Sequence, residues 1–302
     1  MNSAIAVGVF DGLHLGHRQI LDRALARSRR HDGHCVVVSF DPHPDVVLAR
    51  SFQVVAPLTP HTERRALITR MGVEIYQVVP FTRELAALEP EDFVDRYLIQ
   101  PFGMRDLVVG ANFALGRGRV GNVSRLAEIG ARRDFEVEAV PLLELEGGPV
   151  SSTRIRGLLA EGRVVEAARQ LGRRYGLGGS VVTGDGIGRT LGCPTANLRL
   201  HEEKFLPADG VYAARARIGG ESSWRPAAMS IGVRPTFGEH ARALEVHLID
   251  WSGELVGREL EVEFESWVRS QLKFDSPDQL AEAIRDDLKQ VRTVLDASSA
   301  PA

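Results

Sequence analysis

The sequence predicts two domains of different fold class, an α/β domain followed by an antiparallel β-barrel with a C-terminal helix. In the first half, short runs rich in valine and isoleucine alternate with helical patterns, which is typical of a parallel sheet covered by helices. From Gly179 onward, strand-like runs follow one another with only Gly, Pro and Asp turns between them, as in antiparallel barrels. A length of 302 residues also exceeds that of most single domains, so we expect two hydrophobic cores.

The elements of the first domain follow from its hydrophobic periodicity. Its candidate strands, each bounded by Gly, Pro or charged residues, are 5–10, 35–40, 73–79, 106–110 and 135–140. Segments with helical spacing lie between them, at 18–29, 62–70, 90–97 and 124–132. Asn122 precedes the last of these helices, and we expect it to act as the N-cap.

A change of pattern marks the domain boundary. An amphipathic helix is predicted over 157–171 and should end at Gly172, since glycine favours helix C-termini. We therefore place the domains at 1–172 and 173–302. The barrel strands are predicted at 180–183, 211–218, 227–231, 243–248 and 259–264. A final helix should begin at Asp275, because apolar residues recur after it at helical spacing.

Composition excludes several classes of protein. Hydrophobic residues make up 44% and charged residues 25% of the chain, which are ordinary globular values and not those of a disordered or collagen-like chain. A net charge of -3 without a block of basic residues argues against nucleic acid as a partner. Cys35 and Cys193 stand outside any C-x-x-C pattern, which indicates a reducing compartment. With no signal peptide or membrane-spanning run, we expect a cytoplasmic protein that does not bind membranes; the oligomeric state stays open.

The first candidate site is the turn between the first strand and the first helix, residues 8–17. A helix N-terminus presents unpaired N–H groups and partial positive charge, and glycines let a phosphate approach the backbone. His14 and His17 are three residues apart, so both should point to one region and donate to phosphate oxygens. For the bare H-x-x-H pattern, two ordinary helix-start residues are an equal alternative. A zinc site is disfavoured because no third ligand is nearby, and the spacing fits neither a P-loop nor G-x-G-x-x-G.

The second candidate site combines a glycine loop with two polar residues. The loop contains Gly184, Gly186, Gly188 and Thr190, but it departs from a P-loop because Arg189 replaces the lysine. Thr195 and Asn197 would face the same way on an extended segment, as ligands of a cation or phosphate must. For a bare T-x-N pattern, surface polarity is the more frequent explanation. Glu245 stands between two apolar strand residues, so a simple solvent-facing position is the alternative to a functional role for it.

Two motifs in the first half resemble those of the nucleotidylyltransferase superfamily. Residues 8–17 resemble its H-x-G-H signature, and residues 150–156 resemble its I-S-S-T-x-I-R motif. Residues 40–44 and 109–116 are similar to the flavin-adenylating branch. The resemblance implies a Rossmann-like parallel sheet, catalytic roles for His14 and His17, and two sets of binding residues. The ATP-binding set is Gly8, Phe10, Asp11, Gly12, Ser152, Thr153 and Arg156, and the flavin-binding set is Phe40, Pro42 and Asn112.

The second half resembles riboflavin kinases. The carrying segments are 188–197, 206–212, 231–237 and 244–248, which occur in the family's order. The resemblance implies that Glu245 is the general base, that Thr195 and Asn197 hold Mg²⁺, and that Arg234 contacts flavin. It also implies that Gly184, Gly186, Gly188 and Thr190 bind ATP phosphates. Two residues depart from the family pattern: Cys193 replaces the usual phenylalanine, and Ser230 replaces a common asparagine.

Together these motifs resemble the prokaryotic bifunctional riboflavin kinase and FAD synthetase family over essentially the whole chain. The implied reactions use ATP and Mg²⁺ to convert riboflavin to FMN in the barrel, and ATP to convert FMN to FAD in the first domain. A flavin-binding protein without catalysis is a rival hypothesis, which the retained motif residues disfavour. Another adenylyl- or cytidylyltransferase is a second rival, but it leaves the Pro-Thr-Ala-Asn segment of the barrel unexplained.

Overall fold

The computed structural model describes residues 2–48, 56–145, 147–184, 188, 192–233, 242–274 and 276–299. The chain forms two compact units, Met1–Ser152 and Thr153–Ala302. The first contains a parallel sheet with helices, and the second contains a closed antiparallel barrel followed by a helix. The predicted fold class is therefore confirmed.

The strands of the first unit are mostly parallel neighbours. In chain order they are β1 (Ser3–Val7), β2 (His34–Asp41), β3 (Ile75–Pro80), β4 (Met104–Gly110), β5 (Ala114–Leu115), β6 (Gly121–Asn122), β7 (Glu136–Val140), β8 (Glu144–Leu145) and β9 (Gly148–Pro149). The sheet has five strands in the order β3-β2-β1-β4-β7, all parallel. The short strands pair as β5-β6 and β8-β9.

Helices cover both faces of this sheet. They are α1 (Leu15–Arg30), α2 (Pro44–Val47), α3 (His61–Arg70), α4 (Arg83–Ala86), α5 (Pro90–Val94), α6 (Gln100–Phe102) and α7 (Val123–Arg133). Successive residues of β1 enter different apolar clusters, Ile5 on one face of the sheet and Ala6 on the other, because successive strand side chains point to opposite faces. As predicted, Asn122 caps α7, its Oδ1 accepting the N–H of Arg125 at 3.0 Å.

The strand order positions the first candidate site. From the central strand β1, the chain runs outward through β2 and β3 and then returns to β4 on the opposite side of β1. In open parallel sheets, ligands bind at the carboxyl ends of the strands where the direction of winding reverses. Here β1 leads into residues 8–14 and β4 leads into residues 111–113. Two segments that the sequence analysis selected thus leave the sheet at neighbouring strand ends.

Two helices precede the barrel in the second unit, α8 (Ser152–Ala160) and α9 (Val164–Leu171). The single helix predicted over 157–171 is wrong, because Gly162 takes a left-handed φ of 75° and interrupts it. A Cβ at Gly162 would lie 2.2 Å from Cε3 of Trp267, so the turn between the helices packs directly on this indole. The carbonyl of Leu159 also accepts the N–H of Ala208 at 2.9 Å. The helical pair therefore packs against the barrel.

The barrel consists of β10 (Gly176–Val182), β11 (Ala196–Leu200), β12 (Gly210–Ile218), β13 (Arg225–Val233), β14 (Arg242–Leu248) and β15 (Glu259–Ser270). It closes in the order β10-β11-β14-β13-β12-β15, with antiparallel neighbours throughout. The sequence does not predict β11, since Pro194 and two polar residues obscure its short apolar alternation. Closure removes unpaired strand edges, which stabilises a sheet of this size.

The predicted C-terminal helix is present as α10 (Pro277–Ser299), and it packs on the barrel. Val291 and Leu295 are buried with Ala213 and Ile249 in a shared apolar cluster. The polar face of α10 also contacts the barrel, through a bidentate ion pair between Asp287 and Arg269. Neither α10 nor any other helix in the described ranges combines the length and apolar character needed to cross a membrane.

Replacing Gly162 with alanine should destabilise the second unit by about 2–4 kcal/mol, since it adds both positive-φ strain and overpacking. A Cβ added at Gly157 on α8 would meet no atom of the described residues within 4 Å, so Gly157→Ala is the matched control. That control should be neutral or slightly stabilising because alanine favours helices. The measurement is urea unfolding followed by tryptophan fluorescence. Equal midpoints for the two variants would contradict the packing of Gly162 on Trp267.

Candidate active sites

The loop between β1 and α1, residues 8–14, has an unusual backbone. Phe10 and Leu13 adopt positive φ values of 54° and 39°, and Gly12 has a φ of 81°. Positive φ is costly for residues with a side chain, and such strain persists at functional sites where the surroundings impose it. Phe10 is buried, and its ring lies so close to Gly8 that a Cβ there would be 3.2 Å away. The close approach explains the glycine at position 8.

Hydrogen bonds from distant segments hold this β1–α1 loop. The Asp11 carboxylate, which is 2% exposed, accepts the N–H of Thr59 at 3.0 Å and that of Leu58 at 3.2 Å. The N–H of Gly12 donates to the Thr59 hydroxyl at 2.9 Å. Ser152 donates its hydroxyl to the Asp11 carbonyl at 2.8 Å, which joins the two predicted motifs of this unit. The Asp11 side chain therefore fixes the loop.

His14 is the N-cap of α1, and its capping hydrogen bond determines which of its ring nitrogens can donate. Its Nδ1 accepts the backbone N–H of His17 at 3.2 Å. An imidazole nitrogen that accepts a hydrogen bond carries no proton, so the proton of neutral His14 sits on Nε2. Capping thus selects the tautomer that presents an Nε2–H donor beside the helix N-terminus.

His17 stacks on His14, with ring centroids 3.6 Å apart and an interplanar angle of 16°. Burial, reinforced by His14 and Arg64, holds the pKa of the His17 imidazole well below its ordinary value. His17 is therefore neutral at physiological pH. Its Nδ1 is buried and finds no hydrogen-bond partner within the described ranges. An unsatisfied buried imidazole nitrogen is unusual, which makes His17 a candidate functional residue.

The sequence analysis missed Arg64, a buried cation on the first turn of α3. Its Nη1 donates to the carbonyl of Val9, within the β1–α1 loop, at 2.9 Å. Its Nη2 donates to the carbonyl of Thr59 at 3.0 Å. No local signal could have found it, because two arginines at 64 and 65 in a polar helix are normally solvent-exposed.

The predicted flavin-binding residues of the first unit lie in different environments. Phe40 is buried against Phe81 and Phe93, with ring-centroid distances of 5.6 and 6.1 Å. Pro42 is exposed after the end of β2, and Asn112 is exposed after the end of β4. Thr153 and Arg156 lie in the first turns of α8, in the second compact unit.

A cavity of about 310 Å³ in the second unit brings together four of the predicted kinase residues. Gly188, Thr195, Asn197 and Glu245 all line it. Asn197 on β11 lies directly opposite Glu245 on β14, and Ser230 on β13 lies opposite Glu245 on its other side. Opposed residues of antiparallel strands share a face, so these side chains form one polar row across three strands.

Glu245 lies in the cavity wall and is half-buried, whereas its neighbours Leu244 and Val246 are buried in the barrel. The strand alternation predicted from the sequence is therefore present, but its polar face meets the cavity and not bulk solvent. A Cβ at Gly184 would lie 1.8 Å from Nδ2 of Asn197. Only glycine permits the loop to approach the polar row this closely.

The oxygen atoms in this row suit a hard cation. Thr195 and Asn197 offer a hydroxyl and an amide oxygen, which are ligand types that Mg²⁺ takes together with substrate phosphates. No cluster of three or more His, Cys, Asp or Glu residues able to hold a metal occurs in the described ranges. A phosphate-bound Mg²⁺ does not require such a cluster, so the residues present fit this ion.

Sequence reasoning missed several other residues of the cavity. Arg269 and Asp287 form a bidentate ion pair, with both N–O distances 2.7 Å, that joins β15 to α10. His247 donates from Nδ1 to the carbonyl of Pro194 at 2.8 Å, which fixes the segment before Thr195. The apolar wall is formed by Val211, Met229, Leu272, Phe274, Leu280, Ile284 and Leu288. A cavity with one polar row and one apolar wall can hold an aromatic ring that carries a polar chain.

The two departures from the family pattern are accommodated in this cavity. Burial raises the pKa of the Cys193 thiol to about 11, so it is a packed, neutral side chain. Ser230 accepts a hydrogen bond from Nε2 of Gln271 at 2.9 Å. Three predicted site residues, Gly186, Thr190 and Arg234, lie outside the described residues.

Family models match both halves of the chain. Residues 1–154 match FAD synthetase, and residues 171–295 match riboflavin kinase. The bifunctional riboflavin kinase/FMN adenylyltransferase of Listeria monocytogenes is 36% identical over 293 residues, which cover 97% of this chain and 92% of that protein. The chain belongs to the bifunctional riboflavin kinase/FMN adenylyltransferase family. The family member from Escherichia coli K12 is 34% identical over 285 residues, which cover 94% of this chain and 90% of that protein.

A crystal structure described as a macrolide-efflux protein from Streptococcus pneumoniae has a similar fold, with a TM-score of 0.88 and 31% identity. The match covers 96% of this chain and 94% of that one. The efflux in its description concerns that protein, whereas both family models and the bacterial relatives name flavin enzymes. The family and the bifunctional activity predicted from the motifs are therefore confirmed, with the FAD synthetase part first and the riboflavin kinase part second.

Replacing Gly184 with alanine should lower riboflavin kinase activity by about 10- to 100-fold, because the new Cβ displaces Asn197 from the polar row. A Cβ added at Gly178 on β10 would have no atom of the described chain within 4 Å, so Gly178→Ala serves as the control. Both activities are measured on each variant, and FAD synthetase activity should not change. Kinase activity equal in the two variants would show that the position of Asn197 is not required.

Proposed function

We propose that the barrel phosphorylates riboflavin with ATP to give FMN, and that the first unit joins FMN to AMP from a second ATP to give FAD. The polar row of Asn197 and Glu245 beside an apolar wall carries the kinase assignment. Riboflavin has a flat ring and a polyhydroxyl chain, which match the two sides of this cavity. The stacked histidines at the N-terminus of α1 carry the adenylyltransferase assignment.

In the kinase reaction, Glu245 is the general base. An aliphatic hydroxyl is un-ionised at neutral pH, so its proton must leave as its oxygen attacks the γ-phosphorus and the bond to ADP breaks. Glu245 accepts this proton. Thr195 and Asn197 would hold Mg²⁺, which offsets phosphate charge when bound. We assign Gly184, Gly186, Gly188 and Thr190 to the ATP phosphates and Arg234 to flavin, on the family motifs.

In the adenylyltransferase reaction, a phosphate oxygen of FMN attacks the α-phosphorus of ATP and pyrophosphate leaves. The second pKa of a phosphate monoester is about 6, so the nucleophile is ionised at neutral pH without a base. The remaining requirement is to stabilise negative charge on the α-phosphate and the leaving group. Nε2–H of His14, an imidazole N–H of His17 and the N–H groups in the first turn of α1 supply this stabilisation.

The other residues predicted for adenylyl transfer keep the roles that the family motifs imply. Phosphate binding is assigned to Gly8, Phe10, Asp11, Gly12, Ser152, Thr153 and Arg156, and flavin binding to Phe40, Pro42 and Asn112. Asp11 and Ser152 would act by shaping the loop, since their side chains hold backbone groups there. The proposed domain boundary stays at residue 172, near the start of the riboflavin kinase match. A cytoplasmic location, and the absence of nucleic acid and membrane partners, stay predictions.

Replacing Glu245 with glutamine should lower FMN formation by about 10²- to 10⁴-fold, because the amide cannot accept the proton of the riboflavin hydroxyl. FAD formation from supplied FMN should be unchanged. Glu261→Gln on β15 is the control, because Glu261 pairs with Arg217 on the barrel surface and does not line the cavity. Chromatographic separation of flavins measures both steps. Unchanged FMN formation in Glu245→Gln would reject the base assignment.

Replacing His14 with asparagine should lower FAD formation by about 100-fold, since asparagine can still cap α1 but has no imidazole Nε2 donor. His14→Ala should do the same and also weaken the helix by about 1 kcal/mol. FMN formation by the same samples is the internal control and should persist. If His14→Asn made FAD at the parent rate, the histidine would be a capping residue only.

A further inference from the structure

Arg64 joins three segments that are distant in sequence. It is 8% exposed, and its guanidinium donates to the carbonyls of Val9 and Thr59. A longer contact of 3.4 Å connects Nη1 to the hydroxyl of Ser39, which itself donates to the carbonyl of Val9 at 3.1 Å. One planar side chain thus links the β1–α1 loop at Val9, strand β2 at Ser39, and the segment at Thr59 that hydrogen-bonds to the same loop.

Burying this cation is costly, and its surroundings compensate only in part. The nearest carboxylate contact is from Nη2 to Oδ1 of Asp11, at 3.8 Å, which is longer than a hydrogen bond. Nε of Arg64 is buried without a hydrogen-bond partner in the described part of the chain. Apolar residues in place of buried ion pairs are often neutral or stabilising, so stability alone is a weak reason for an arginine here.

The geometry of the two carbonyl contacts explains the arginine better. A guanidinium presents several N–H donors in a rigid plane, so it can bridge two carbonyls at a set separation, whereas a lysine ammonium cannot. The carbonyl of Val9 immediately precedes the left-handed Phe10, and Thr59 accepts the N–H of Gly12 and donates its own N–H to Asp11. Arg64 therefore contacts both the β1–α1 loop, at Val9, and the residue Thr59 that hydrogen-bonds to this loop before His14.

We propose that Arg64 is a positioning residue for adenylyl transfer, which holds the β1–α1 loop so that its N–H groups and His14 meet the reacting phosphates. The proposal rests on the proposed function of the first unit. It predicts an effect on kcat larger than that on KM, because a misplaced loop still binds ATP but no longer meets the charge that develops in the transition state.

The test uses the full chain with Arg64→Met, Arg64→Lys and the control Arg65→Met. Arg65 is the adjacent residue of α3, is exposed, and lies over the Tyr76 ring at 5.2 Å. For each variant, kcat and the KM for ATP are measured for FAD formation from supplied FMN, below its melting temperature. FMN formation from riboflavin by the same sample reports on the other unit.

Arg64→Met should lower the FAD-forming kcat by about 100-fold and Arg64→Lys by about 10-fold, with the KM for ATP changed less than about threefold. Arg65→Met and all FMN formation should match the parent. If Arg64→Met fails to fold, Arg64→Lys decides, because it keeps the charge and loses only the bridge. A parent-like kcat in Arg64→Lys overturns the proposal, and so does an equal loss of both activities.

The variant His14→Asn distinguishes failure of the role proposed for Arg64 from failure of the function proposed for the first unit. If it loses FAD formation while Arg64→Lys retains it, the role of Arg64 is wrong and the proposed site stands. If His14→Asn and the Arg64 variants all retain FAD formation, the proposed function of this site fails as well.

Discussion

In the segment from Phe10 to Leu13, Phe10 and Leu13 take left-handed conformations that cost on the order of 1–3 kcal/mol each. The first active site depends on this segment staying in place, because it delivers His14 to the start of α1 with its tautomer set. Hydrogen bonds from Asp11, Thr59 and Arg64 supply the restraint. Preorganised donors stabilise developing charge without reorganisation during the reaction, so a strained but clamped loop suits adenylyl transfer.

The second unit meets a similar requirement by different means. Its polar row is set by the register of three antiparallel strands, in which Asn197 and Ser230 flank Glu245. The cavity is completed by α10, which the ion pair of Arg269 and Asp287 joins to β15. Because backbone hydrogen bonds fix this register, they also fix the separation of the backbones that carry the proposed Mg²⁺ ligand Asn197 and the proposed base Glu245. A rigid scaffold thus replaces a clamped loop.

Much of this arrangement could be predicted from local patterns. The strand and helix order, the cap at Asn122 and the paired motifs at His14 and Ser152 depend on residues close in sequence. The break at Gly162 was missed, since the amphipathic pattern continues across it and only the ring of Trp267 explains the turn. Arg64 was missed because its partners lie 5 to 55 residues away, and an arginine on a polar helix carries no mark of burial.

Local patterns were sufficient to assign the fold class, and the resemblance of the motifs to known families assigned the two activities and most of the residues proposed to perform them. Strand alternation alone could not distinguish a solvent-facing Glu245 from a Glu245 in a binding site, because it specifies a face of the strand but not what that face meets. Folding decided what that face meets, by placing α10 and β15 around the cavity that Glu245 lines. The burial of Arg64 was likewise decided by the tertiary structure, because it results from contacts between segments that only the folded chain brings together.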